Sequence, residues 1–66
     1  MKQIRLNGQE HQSDKSNVLE LLAELGLTTG RFAVEIDGYL VPKAKLSDTE
    51  LTSGMIIEVV QAVGGG

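Results

Sequence analysis

Apolar and polar residues alternate in three segments of the chain, which is typical of β-strands with one buried face. The segments read "KQIRL" near the start, "FAVEI" in the middle and "MIIEVVQAV" close to the end. Successive side chains of a strand point to opposite faces. The last segment is therefore expected to turn Ile57 and Val59 towards the core, and to turn Ile56, Glu58 and Val60 outwards.

Two dipeptides predict hairpins directly after the first two strands. Asn7-Gly8 and Asp37-Gly38 suit tight turns in which both central residues have positive φ, so each strand should return as a second, shorter one. The returning segments are "QEHQ" and "YLV". Pro42 should end the second of these, because proline has no N–H to donate to a ladder.

A helical pattern lies between the two hairpins. Asn17 can cap the first turn, and Glu20 completes a capping-box pattern. Gly26 is placed to end the helix. Helical spacing puts four apolar residues on one stripe: Val18, Leu21, Leu22 and Leu25. The polar connector "KAKLSDTELTSG" can hold one short helical turn, with Leu46 and Leu51 as its anchors.

The order hairpin, helix, hairpin, connector, strand predicts an α+β roll, with one main helix packed on one face of a mixed sheet. The long crossover allows the last strand to lie centrally and parallel to the first. A chain of 66 residues is one domain. Residues 1–63 are assigned to that domain, and residues 64–66 to a flexible glycine tail.

Composition narrows the candidate chemistry. The chain has no cysteine and a single histidine, His11, so ligand count excludes a structural zinc site. The carboxylates Asp48 and Glu50 lie in a polar connector without a cleft for catalysis. A net charge of −3 argues against nucleic acid. No apolar run is long enough for a signal or a membrane helix, so a cytoplasmic protein is expected.

The last three residues, Gly64, Gly65 and Gly66, raise a separate hypothesis. Three glycines span roughly 10 Å when extended and can thread a channel too narrow for side chains. They would deliver a terminal carboxylate, which must be activated, for example as an acyl-adenylate, before it reacts. The alternative is a frayed end without a function.

The sequence resembles the sulfur carrier proteins of thiamine (thiazole) biosynthesis, the ThiS family, over essentially the whole chain. The resemblance rests on "IRLNG", "NVLELLAELGL", "FAVEIDGYLVPKAKLSDTEL" and "IIEVVQAVGGG". One departure is the "SGM" stretch at Ser53, Gly54 and Met55, where the family often has Asp-Gly-Asp. The resemblance implies a ubiquitin-like β-grasp fold.

The resemblance also implies the chemistry of the carrier. An E1-like adenylating enzyme would use ATP and Mg²⁺ to form an acyl-adenylate on Gly66, while the carrier itself binds no cofactor and is not an enzyme. A cysteine desulfurase relay would supply sulfur for a thiocarboxylate, and thiazole synthase would receive it. Two alternatives remain: a carrier for molybdopterin, tungsten cofactor or another sulfur pathway, and a ubiquitin-like protein modifier.

A docking surface for the adenylating enzyme is predicted on the last strand. Ile56, Val60 and Ala62 are two or four residues apart, so an extended chain puts them on one outward face. An exposed apolar patch on a small protein usually marks a contact site. These three residues are therefore the candidate partner-docking face.

Overall fold

The computed structural model describes residues 1–62, so the expectations for the flexible tail and for the reactive Gly66 lie outside the described residues. The elements follow one another as the hydrophobic pattern predicts. In chain order they are β1 Lys2–Leu6, β2 Gln9–Ser13, α1 Val18–Glu24, β3 Phe32–Ile36, β4 Tyr39–Val41, α2 Lys43–Leu46 and β5 Ile56–Gln61.

The five strands form one mixed sheet in the order β2-β1-β5-β3-β4. β5 lies at its centre, parallel to β1 and antiparallel to β3. Each outer strand is the hairpin partner of its neighbour. The predicted α+β arrangement, with one main helix packed on one face of a mixed sheet, is confirmed.

Both hairpin turns also hold the central strand. Asn7 and Asp37 have φ of 50°, as a type I′ turn requires. The side-chain oxygen Oδ1 of Asn7 accepts a hydrogen bond from the N–H of Val59 at 2.8 Å. Oδ1 of Asp37 accepts one from the N–H of Ile56 at 3.0 Å. Each turn therefore fixes both its own hairpin and the position of β5.

The start of α1 is capped nearly as predicted. Oδ1 of Asn17 accepts a hydrogen bond from the N–H of Glu20 at 2.9 Å. The Glu20 carboxylate reaches back to the N–H of Ser16 at 3.1 Å, one residue before the position that a capping box specifies. Two of the N–H groups at this end are therefore satisfied by side chains.

The end of α1 depends on Gly26. Its φ of 74° lies in the left-handed region that glycine adopts without strain. The chain turns back there, and the N–H of Leu27 donates to the carbonyl of Leu22 at 2.9 Å. This is the Schellman arrangement, which closes the helix and returns Leu27 to the core.

The core lies between α1 and one face of the sheet. The predicted anchors Leu46 and Leu51 are fully buried, and Leu25 is only half-buried. The buried apolar residues are Ile4, Leu6, Val18, Leu21, Leu22, Val34, Ile36, Leu46, Leu51, Met55, Ile57 and Val59. All of them are aliphatic or methionine, which agrees with a sequence containing one Phe and one Tyr.

The connector closes the open end of this core. The N–H of Leu51 donates to the carbonyl of Ser16 at 2.9 Å, and the N–H of Val18 donates to the carbonyl of Thr49 at 3.0 Å. These bonds attach the connector to the start of α1. Among residues 1–62, neither helix has the length and apolar character needed to cross a membrane.

Candidate functional site

The side of the sheet away from α1 is open and is called here the outward face. Its side chains alternate along each strand with the buried ones. The three strands β5, β3 and β4 contribute Ile56, Glu58, Val60, Ala33, Glu35 and Leu40. No element among the described residues covers these side chains, because α1 and the connector pack on the other side.

Three large apolar side chains of the outward face are exposed. Ile56 is 48% exposed, Val60 is 68% exposed and Leu40 is 69% exposed. Leu40 was not among the predicted docking residues. It lies directly opposite Glu35, so its position follows from the β3–β4 register rather than from the three-residue strand alone.

Of the three residues predicted to form the docking face, Ile56 and Val60 lie on β5 and Ala62 directly follows that strand. Ile56 and Val60 lie on the outward side of β5, with Glu58 between them. Four residues of extended strand place the Cα atoms of Ile56 and Val60 roughly 13 Å apart. Ala62 follows the end of β5, which stops at Gln61 rather than running on as predicted. Ala62 lines a shallow depression with Val60 and with Arg31, Phe32 and Ala33.

The backbone is held in place where the described part of the chain ends. The N–H of Ala62 donates to the carbonyl of Arg31 at 3.1 Å. Two basic side chains belong to this region: Arg31 lines the depression, and Nζ of Lys43 lies 4.3 Å from the centre of the Phe32 ring. The proposed tail residues Gly64, Gly65 and Gly66 come directly after this point in the sequence and lie outside the described residues.

Charges on the outward face are arranged unevenly. Glu35 and Glu58 lie directly opposite each other in the β3–β5 pair. Arg5 forms an ion pair with Glu10 at 3.2 Å. Hydrogen bonds to Glu10, first from Gln3 and then from Arg5, lower the pKa of its carboxyl group. One part of the face is therefore neutralised internally, and another carries two adjacent carboxylates.

The remaining candidates for chemistry are dispersed. His11 is half-buried in β2 opposite Ile4, and Asp48 and Glu50 are exposed in the connector. Within residues 1–62, no three His, Cys, Asp or Glu side chains come together as a metal site would need. The described residues therefore offer a contact surface as the main candidate for function.

A family model described as the ThiS family matches residues 2–66. A curated relative, the thiazole synthase of Paramagnetospirillum magneticum, is 36% identical over 62 residues, which make up 92% of this chain. The chain spans only 19% of the length of that relative.

Two solved structures are similar over almost the whole chain. The crystal structure of the thiamine biosynthesis protein ThiS from Geobacter metallireducens has a TM-score of 0.79 and 26% identity, and the match covers 97% of this chain and 99% of that one. The solution structure of a thiamine biosynthesis protein from the same organism has a TM-score of 0.75 and 26% identity, covering 97% of this chain and 87% of that one.

Proposed function

Because the chain belongs to the ThiS family, we propose that it is a sulfur carrier of thiamine thiazole synthesis and not an enzyme. The observation that carries the proposal is the extent of the family match, which runs through all three terminal glycines. A relative named thiazole synthase favours the thiazole pathway over the molybdopterin or tungsten-cofactor alternative.

The reacting group in this proposal is the carboxylate of Gly66. A carboxylate oxygen attacks the α-phosphorus of ATP, held with Mg²⁺ by the adenylating enzyme, and pyrophosphate leaves. A sulfur nucleophile supplied by a cysteine desulfurase relay then displaces AMP from the acyl-adenylate. A thiol of the relay then cleaves the S–S bond of the resulting acyl disulfide and is itself oxidised to a disulfide, so that Gly66 is left with a thiocarboxylate, which thiazole synthase consumes.

The composition of the chain suits a carrier of an activated acyl group. Gly64 and Gly65 have no Cβ, so an enzyme channel can close tightly around them. The chain contains no cysteine, so no thiol of its own can intercept the adenylate. Both features concern what happens at the carbonyl of Gly66.

The docking role belongs to the outward face. Ile56, Val60 and Ala62 would contact the adenylating enzyme. Leu40, which is exposed beside Glu35 on the same face, would join them. The hydrogen bond from Ala62 to Arg31 supports this arrangement, since it fixes the backbone next to the proposed docking residues. Contacts made there would set the distance over which the glycines have to reach.

Intact-mass spectrometry of the protein freshly purified from cells tests the proposal directly. The expected result is a chain ending at Gly66, with a fraction whose mass corresponds to one sulfur in place of one oxygen. Fragmentation should locate that change on the C-terminal residue. Finding Gly66 joined to lysines of other proteins would instead support the modifier alternative.

Variants of the end test whether its position matters. Deleting Gly66 leaves a glycine carboxylate about 3.5 Å short, and a misplacement of 1 Å can lower a rate about a hundredfold. ATP–pyrophosphate exchange with the adenylating enzyme should be lost, while thermal unfolding stays unchanged. Appending one residue after Gly66 should have the same effect. Full exchange by the extended chain would contradict the carrier proposal.

A further inference from the structure

The outward face carries a pair of like charges that the fold does not compensate. Glu35 and Glu58 are exposed, and the β3–β5 register sets them directly opposite each other. Like charges in this position destabilise a sheet. Within residues 1–62 the one ion pair joins Arg5 to Glu10, so neither Glu35 nor Glu58 has a cationic partner there. A local conflict of this kind is typical of a functional surface.

Apolar side chains surround this acidic pair, Glu35 and Glu58, on three sides. Leu40 lies beside Glu35 on β4, and Ile56 and Val60 flank Glu58 along β5. All three are exposed. A protein that covers these apolar side chains also excludes water from the carboxylates between them. Electrostatic attraction across such a contact is stronger than in open solvent.

The polar side chains near Glu35 and Glu58 are engaged with other partners. Arg5, which lies beside Ile56 on β1, is bound to Glu10. Oδ1 of Asp37 accepts the N–H of Ile56 at 3.0 Å and belongs to the turn. Charge complementarity therefore calls for a cation from outside the fold.

We propose that the acidic pair receives an arginine side chain from the adenylating enzyme, at the centre of a contact whose rim is formed by Leu40, Ile56 and Val60. The inference rests on the proposed function. Arginine fits better than lysine, because its planar guanidinium has five N–H donors and can bond two adjacent carboxylates together. A second copy of the chain fits poorly, because a two-fold contact would set one acidic pair against another.

The test is ATP–pyrophosphate exchange by the adenylating enzyme from the same organism, with the carrier concentration varied. The variant is Glu35→Gln/Glu58→Gln, which keeps shape and removes both charges. The control is Asp14→Asn/Asp48→Asn, which changes the net charge equally at two exposed positions off the sheet. Circular dichroism checks that both variants fold.

The expected result is a KM for the carrier that rises about tenfold in the glutamate variant at low salt, with kcat unchanged. The dependence of KM on salt should flatten in that variant, while the control behaves like the wild type.

Equal KM values and equal salt dependence in the two variants would overturn the inference while wild-type exchange still supports the carrier function. No exchange by the wild type would overturn both. A wild-type dimer that Val60→Asp converts to monomers would also overturn the inference, because a second copy would then cover the face.

Discussion

The two faces of β5 use similar residues for different purposes. Ile57 and Val59 face α1 and are almost fully buried, whereas Ile56 and Val60 face away and remain exposed. Each face holds one isoleucine and one valine from the same strand, so these apolar residue types alone do not distinguish them, although Glu58 lies on the outward face. What differs is the cover: α1 and the connector close the inward face, and residues 1–62 supply nothing over the outward one.

Because of this difference, the inward face should determine the stability of the domain and the outward face its binding to a partner. An apolar side chain on the inward face is removed from water on folding, and that burial stabilises the domain. The same side chain on the outward face gains little until a partner covers it. Substitutions on one face should therefore change unfolding, and substitutions on the other should change association.

The largest expected effect comes from placing aspartate at neighbouring positions of β5. Val59→Asp puts a charge among buried side chains and should destabilise the protein by about 4 kcal/mol or more, enough to unfold much of a domain this small. Val60→Asp should lower stability by less than about 1 kcal/mol. Urea unfolding followed by circular dichroism measures both. A folded Val59→Asp protein would contradict the assignment of the faces.

The Val60→Asp protein also tests the outward face, because it is expected to keep its fold. It should dock poorly on the adenylating enzyme and give slower ATP–pyrophosphate exchange than the wild type. Exchange at the wild-type rate would exclude Val60 from the contact.

A smaller effect is expected from the cap of the helix that covers the inward face. Asn17→Ala removes the acceptor for the N–H of Glu20 and should cost about 1 kcal/mol of unfolding free energy. Asn17→Asp retains an acceptor and should stay near the wild type. The urea midpoint distinguishes the two variants, and an equal loss in both would show that the side-chain cap contributes little.

Glu35→Gln on the outward face should stabilise the protein, whereas the substitutions above destabilise it. Removing one of two facing charges should raise stability by roughly 0.2–0.5 kcal/mol at low salt. The gain should shrink in 1 M salt, where charges are screened. Thermal unfolding at both salt concentrations provides the measurement, with Asp48→Asn as the matched control. A stability loss at low salt would mean that Glu35 has a favourable partner.

The smallest expected effect is the contribution of the Glu10 carboxyl group to stability at low pH. Its pKa in the folded protein lies below the ordinary glutamate value, mainly through the hydrogen bond from Gln3. The stabilisation is therefore present above the unfolded-state pKa of about 4.3 and is lost as the pH falls through the folded-state pKa. Glu10→Gln should show a slightly flatter decline of stability below that pH. Identical acid profiles for the two proteins would rule out this contribution.

Much of the fold could be predicted from the sequence because its signals are local. Alternation assigned the faces of β1, β3 and β5, and the two turn dipeptides placed the hairpins correctly. Asn17 and Gly26 marked the ends of α1. Each of these signals depends on residues a few positions apart. The family resemblance is confirmed by the match over residues 2–66.

Other features depended on distant parts of the chain meeting. Asn7 and Asp37 were predicted as turn residues, but their bonds to β5 arise only once the hairpins flank that strand. The turn before β5 behaves similarly. Ser53 belongs to the "SGM" stretch that departs from the expected family pattern, and its hydroxyl oxygen accepts the N–H of Gln3 at 3.2 Å.

Some features of the outward face could likewise be predicted from local sequence, and others depended on how the strands pair. The sequence by itself determined which residues of β5 point outwards, because the side-chain period within a strand is fixed by the backbone. It did not determine that Glu35 faces Glu58, or that Leu40 adjoins them, because no local pattern records which strands pair or in what register. Tertiary structure decided this, since the register is set jointly by the buried side chains and the turns that align the strands.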